Sequence, residues 1–87
     1  MSAYASRVAS LIVRRVGNFA ETKDLGVAVT ETLFRLALPV DRNRRPDVAF
    51  VSFERWPKDR PMVYRDNAWD VVPDLAVEVV SPWRFSG

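Results

Sequence analysis

The sequence has no histidine and no cysteine, and each absence excludes a class of chemistry. Without histidine there is no Ser-His-Asp triad and no histidine-bound metal. Without cysteine there is no catalytic thiol, no zinc finger and no disulfide framework. Catalysis would therefore have to use carboxylates, lysines, hydroxyls or arginines, and a metal ion would have to be bound through oxygen atoms.

Lysine and long hydrophobic runs are also scarce. Only Lys23 and Lys58 are lysines, so arginine supplies most of the 13 basic residues, and 11 acidic residues leave a net charge of +2. This small excess does not by itself indicate a nucleic-acid-binding protein. No apolar run approaches the ~18 residues of a membrane span, and the N-terminal stretch lacks the layout of a signal peptide. We therefore expect no membrane segment and a cytoplasmic protein.

What is present is the composition of one small globular domain. The 87 residues are 48% hydrophobic and 28% charged, which is typical of folded proteins rather than of disordered ones. A chain of this length buries only a little more than ~60% of the surface that it exposes when unfolded. We predict a single domain over residues 1–87.

The N-terminal quarter of the chain has the pattern of an amphipathic helix. Apolar residues recur at helical spacing, which predicts a helix over about Ala3 to Thr22 with Ser2 as its N-cap. Gly26 is predicted to mark the stop after this helix. The apolar stripe is expected to face the core; it consists of Val8, Leu11, Ile12, Val16 and Phe19.

Three further stretches predict strands. Residues 27–38 are interpreted as two short strands or one bent hairpin, with a change of face near Glu31. Residues 48–51 and 75–80 are apolar at both parities, as expected of strands covered on two faces. Between the strands we expect a polar connection at residues 41–45 and a long loop at 53–72.

Arginines are concentrated in the predicted connections. Arg42, Arg44 and Arg45 lie together, and such a cluster either binds phosphate groups or is a solvated loop beside a strand, which is the commoner case. In the long loop, tryptophans and a tyrosine alternate with arginines. These aromatic residues either stack on bases or anchor the loop to the core, and the second interpretation is favoured.

Glu78 is a carboxylate within an otherwise apolar stretch. A buried, ionised glutamate is strongly destabilising unless it is paired or binds a metal. A salt bridge to an arginine and a metal or catalytic role both remain open. Asp47 precedes the other apolar strand, so Asp47 and Glu78 would converge near one sheet edge if the two strands are neighbours. Glu31, at the change of face, would add a third carboxylate. Such a set suits Mg²⁺ or Mn²⁺ and phosphodiester hydrolysis.

Two segments of the chain resemble one protein family. RPDVAFVS at residues 45–52 and PDLAVEVVSP at residues 73–82 resemble the Uma2 family of restriction endonucleases, within the PD-(D/E)XK nuclease superfamily. The resemblance covers roughly Tyr4 to Pro82. It implies an α+β or α/β fold with an N-terminal helix and a restriction-endonuclease-like mixed sheet, of which this chain holds the first half of the core.

The resemblance also implies a function and its residues. It implies an endonuclease that hydrolyses DNA with Mg²⁺ or Mn²⁺, in which Asp47 and Glu78 are the catalytic, metal-binding acids. Glu31 is a looser match to a third metal ligand. The usual lysine two residues after the glutamate is replaced by Val80, and the chain ends before the helix that carries a substitute lysine in this family.

These departures leave three hypotheses for the chain. The first is a truncated endonuclease domain with weak or no activity. The second is a non-catalytic interaction module, in which the acids form only salt bridges and an uncovered apolar edge at residues 75–80 allows homo-oligomers to form. The third is a non-functional remnant of a nuclease gene.

Overall fold

One long helix packs against a small antiparallel sheet, so the chain has the predicted α+β fold. The structure is a computed structural model that describes residues 2–36, 42–62 and 68–80. Within these residues, no helix has the length and apolar content needed to cross a membrane. The elements are α1 (Ala3–Lys23), β1 (Gly26–Thr30), β2 (Phe34–Leu36), β3 (Arg42–Arg44), β4 (Val48–Ser52) and β5 (Leu75–Val77).

The helix begins where the sequence predicts, but a different residue ends it. Ser2 is the N-cap, and its Oγ accepts a hydrogen bond from the Ala5 N–H at 3.1 Å. At the other end Asp24 adopts a left-handed conformation with φ of 54°, which aspartate tolerates better than most residues. The prediction that Gly26 marks the helix stop is therefore wrong, since Gly26 is the first residue of β1.

Small residues on α1 allow it to approach the sheet closely. Ala5, Ala9 and Ala20 are its buried residues, and a Cβ atom added at Gly17 would lie 3.9 Å from the Ala28 Cβ. The larger residues Leu11 and Phe19 are 44% and 60% exposed. The prediction that the whole apolar stripe faces the core is wrong for these two residues, because the small side chains occupy the face that meets the sheet.

The central strand of the three-stranded sheet is β4. It pairs with β1 on one side and with β5 on the other, in both cases antiparallel. Val48, Ala49 and Val51 are buried, which confirms that this strand is covered on both faces. Gly26 of β1 lies against the β4 backbone, where a Cβ atom would come within 2.8 Å of the Ser52 Cα, so only glycine fits there.

The last strand departs from the prediction. Residues 75–80 were expected to form a strand covered on both faces, but β5 ends at Val77 and is an edge strand of the described sheet. Leu75 is 47% exposed and Val80 is 63% exposed. The physical reason is that β4 is the only described strand that pairs with β5. Glu78 consequently follows the strand and is exposed, rather than buried within it.

A two-stranded sheet lies beside the first one. Residues 42–44, predicted as part of a polar connection, form β3, which pairs antiparallel with β2. The predicted strands extend to residue 38 and the predicted polar connection begins at residue 41. Residues 37–41 lie outside the described residues. In β2, Phe34 is completely buried and stacks on Trp69 with ring centroids 5.7 Å apart. Trp56 meets Trp69 edge-on at 5.6 Å, so these aromatic residues anchor the loop to the core, as favoured above.

Candidate functional site

The backbones of the three predicted acidic residues form one row across the end of the three-stranded sheet. The last strand pairs at this end join Thr30 to Val48 and Val48 to Val77. Glu31, Asp47 and Glu78 each lie one residue beyond these pairs. The strands that these acids adjoin are therefore neighbours in the sheet, and the convergence of the three carboxylates stays a prediction.

Asp47 is the central residue of this row and is held from both sides. Its carbonyl oxygen accepts a hydrogen bond from the Glu31 N–H at 3.1 Å. Its Oδ2 accepts a hydrogen bond from the Val79 N–H at 2.6 Å. The residue is half-buried. A carboxylate has about four acceptor positions, so the Asp47 carboxylate is oriented by Val79 and retains positions for a cation.

The two glutamates are arranged less regularly. Glu31 has a φ of 46°, which interrupts the regular strand geometry at this position, and its side chain is exposed. Glu78 is also exposed and lies next to Asp47 in the row. Across residues 2–36, 42–62 and 68–80, no group of three or more acidic side chains is arranged so that it could hold a metal ion. The structure thus aligns the three backbones without gathering the three carboxylates.

Glu78 is exposed, so the sequence-based reason for a metal at this residue, the cost of burying its charge, does not apply. An exposed carboxylate keeps its hydration, so it does not need a buried partner or a metal to offset its desolvation. The case for Glu78 now depends on its place beside Asp47. Asp47 precedes Val48 and Glu78 follows Val77, and Val48 and Val77 are paired across the two strands.

Both lysines of the chain lie at the opposite end of the sheet. Lys58 forms a 2.6 Å ion pair with Asp24, which precedes β1. Lys23 is the last residue of α1 and is adjacent to Asp24. The five residues of β1 separate this end from Glu31, a distance of about 15 Å at ~3.3 Å per residue. Neither lysine is therefore placed to act beside the acids.

The second Pro-Asp segment has a structural role that the sequence did not distinguish from the first. Asp74 Oδ1 accepts a hydrogen bond from the Ser52 N–H at 2.8 Å, and its Oδ2 lies 3.2 Å from the Arg55 Nε. Arg55 also donates to the Val72 carbonyl at 3.1 Å. Asp74 therefore joins the long loop to the end of β4. Both aspartates follow a proline and precede a strand, so the sequence alone does not distinguish Asp74 from Asp47. The pairing of the strands does.

The donor set at the acidic end of the sheet fits a hard divalent cation. Mg²⁺ typically binds one or two carboxylates and keeps several water molecules. Asp47 and Glu78 supply two carboxylates. Asp47 is half-buried and one of its oxygens accepts the hydrogen bond from Val79, whereas Glu78 is exposed. The other coordination positions of a bound cation would be open to water.

Comparison with known proteins gave one match. A family model named Uma2 and described as "Putative restriction endonuclease" matches residues 1–83. No match was found among the curated proteins or among the solved structures. The matched range includes every described element and all three acids of the row.

Proposed function

The chain belongs to the Uma2 family, and on this basis we propose that it is a divalent-metal-dependent DNA endonuclease domain. The observation that supports the proposal is the pairing of Val48 with Val77, which brings the adjoining residues Asp47 and Glu78 to the same end of the sheet, where the Val79 N–H donates to the Asp47 carboxylate. Carboxylates that adjoin two paired strands provide an anionic site that opens to solvent. A phosphodiester of a DNA strand approaches such a site only when a cation offsets the repulsion between the negative charges.

Each acidic residue has a distinct role in this proposal. Asp47 holds the metal with a carboxylate that the Val79 N–H orients, and Glu78 holds it from the next segment. Glu31, in its left-handed turn, acts from further out. Bound Mg²⁺ or Mn²⁺ would supply a Lewis acid that polarises the phosphodiester and stabilises the leaving oxygen.

The position of the lysines implies that this activity is low. A positioned general acid or base contributes roughly 10²–10⁴ to the rate of a reaction. Lys58 is paired with Asp24 at the far end of the sheet, and Lys23 lies beside it. At the acidic end Val80 takes the position two residues after Glu78 and has no group that can accept a proton. Cleavage by this chain is proposed to be slower by about that factor.

Nicking of supercoiled plasmid DNA tests the proposed function. We expect slow nicking in the presence of Mg²⁺ or Mn²⁺, because the metal offsets charge at the phosphodiester, and complete loss of nicking in excess chelator. Addition of excess Mg²⁺ should then restore it. The Asp47→Asn variant, purified in parallel, controls for contaminating nucleases. Cleavage that continues in chelator, or no cleavage with either metal, would contradict the proposal.

A homo-oligomeric interaction module is a second candidate, favoured by an apolar hollow beside β5. The hollow has a volume of about 380 Å³ and lies between α1 and the edge of the sheet. Phe19 and Leu75, which line it, are 60% and 47% exposed. An exposed edge strand next to apolar side chains can pair with a second copy of the chain.

Light scattering after size-exclusion chromatography tests this second candidate. We expect a dimer that dissociates on dilution, and we expect Leu75→Lys to shift the population to monomer because it places a charge in the apolar contact. Val72→Lys is the control, since Val72 is 44% exposed but lies outside the hollow. A monomer at every concentration would rule this candidate out.

A further inference from the structure

Two strands that carry arginines extend from the acidic end of the sheet. We call β2, β3 and Arg45 the arginine arm. Glu31 leads into β2 through two residues, and β3 leads back through Arg45 and Pro46 to Asp47. Both strands of the arm are therefore continuous with the row of acids. Arg35, Arg44 and Arg45 of the arm are exposed.

The arm is attached firmly to the core. Phe34 of β2 is completely buried and stacks on Trp69. The Arg35 N–H donates to the Trp69 carbonyl at 2.9 Å, and the Trp69 N–H donates to the Leu33 carbonyl at 2.7 Å. These bonds fix the backbone from which the arginines extend. The arm consequently presents its charges at a defined position relative to Asp47.

The charges of the arm are available for an external partner. In the part of the chain that the structure describes, the ion pairs join Arg55 to Asp74 and Lys58 to Asp24, and none includes Arg35, Arg44 or Arg45. Side chains alternate along a strand, so Arg35 lies on the face opposite the buried Phe34. A guanidinium group binds phosphate oxygens through two parallel N–H groups.

We infer that the arginine arm binds the phosphate backbone of duplex DNA beside the acidic row, an inference that rests on the proposed nuclease function. Asp47 lies three positions after Arg44, and three residue steps span at most about 10 Å. One DNA strand carries a phosphate for roughly every 3.4 Å of helix axis, so this reach corresponds to about three phosphates. Such contacts position the duplex without reading its sequence.

Binding of a fluorescent DNA duplex, measured by anisotropy over a range of salt concentrations, tests the inference. The measurement is made in excess chelator, so that it requires neither metal nor cleavage. The test variant is Arg44→Gln with Arg45→Gln. The matched control is Arg14→Gln with Arg15→Gln, which removes the same charge from another adjacent, exposed pair on α1.

We expect the arm variant to weaken binding at least about tenfold in 0.1 M salt and to reduce the slope of log affinity against log salt by about 1.8, at ~0.9 per lost phosphate contact. The control should stay within about twofold of the wild type. Arg44→Lys with Arg45→Lys keeps the charge and should keep most of the slope, which separates lost contacts from misfolding.

Four outcomes would overturn the inference: no duplex binding by the wild-type chain, unchanged binding by the arm variant, an equal loss in the control pair, or tighter binding of an RNA duplex of the same length. The proposed function can fail separately. Metal-independent DNA binding that depends on the arm, together with a lack of cleavage, would retain the arm and reject the nuclease. Metal-dependent cleavage together with unchanged DNA binding by the arm variant would retain the nuclease and reject the role of the arm.

Discussion

Replacing Phe34 by alanine is expected to destabilise the protein by about 3–5 kcal/mol. Phe34 is completely buried, stacks on Trp69 and connects the arginine arm to the core. Domains have a total stability of roughly 5–15 kcal/mol, and a chain of this size lies at the lower end. Thermal unfolding followed by circular dichroism should show a decrease of roughly 15 °C or more in Tm.

Phe19→Ala is the matched control for this prediction, because it removes the same atoms from a side chain that is 60% exposed. It should cost less than about 1 kcal/mol, since little apolar surface is returned to water. Similar losses of stability in the two variants would contradict the burial of Phe34 in the core with Ala49, Val51 and Trp69.

Replacing Asp47 by asparagine is expected to reduce metal-dependent cleavage at least about 100-fold. Removing a residue that only supports a metal ligand typically costs 10–100-fold, and Asp47 is proposed as a direct ligand. Its stability should change little, because the asparagine Oδ1 can still accept the hydrogen bond from the Val79 N–H. The measurements are the rate of plasmid nicking and, in parallel, thermal unfolding.

Asp74→Asn provides a control of the same chemistry. Asp74 also follows a proline and accepts a hydrogen bond from a backbone N–H of the neighbouring strand. Its ion pair with Arg55 is partly exposed, so losing the charge should cost no more than about 1 kcal/mol. Cleavage should remain close to that of the wild type. If the two variants lose cleavage equally, Asp47 has no specific catalytic role.

The parts of the fold that could be predicted from sequence are those with a local signal. The helix follows from apolar residues at helical spacing and from Ser2, whose hydroxyl caps it. The buried strand β4 follows from an apolar run at both parities. The strand β3 could not be predicted, because Arg42-Asn43-Arg44 has no apolar alternation and becomes a strand only by pairing with β2.

The candidate site was predictable in its residue types but not in its environment. A Pro-Asp segment before a strand does not reveal which strand will pair with it, so Asp47 and Asp74 look alike in the sequence. The prediction that Glu78 is buried is wrong, because an apolar run implies two neighbouring strands, whereas β5 has one among the described residues. The register that brings Thr30, Val48 and Val77 together, and with them the adjoining acids, is a property of the tertiary structure alone.

The central claim is that Asp47 and Glu78 together hold a divalent cation. Electron paramagnetic resonance of Mn²⁺ measures this directly, because the signal of the free ion decreases when the ion binds, whether or not DNA is cleaved. We expect one Mn²⁺ site in the wild-type chain. Its affinity should fall at least about tenfold in Asp47→Asn or Glu78→Gln, fall less in Glu31→Gln and stay unchanged in Asp74→Asn. Equal Mn²⁺ affinity in the wild type and the Asp47→Asn variant would contradict the claim.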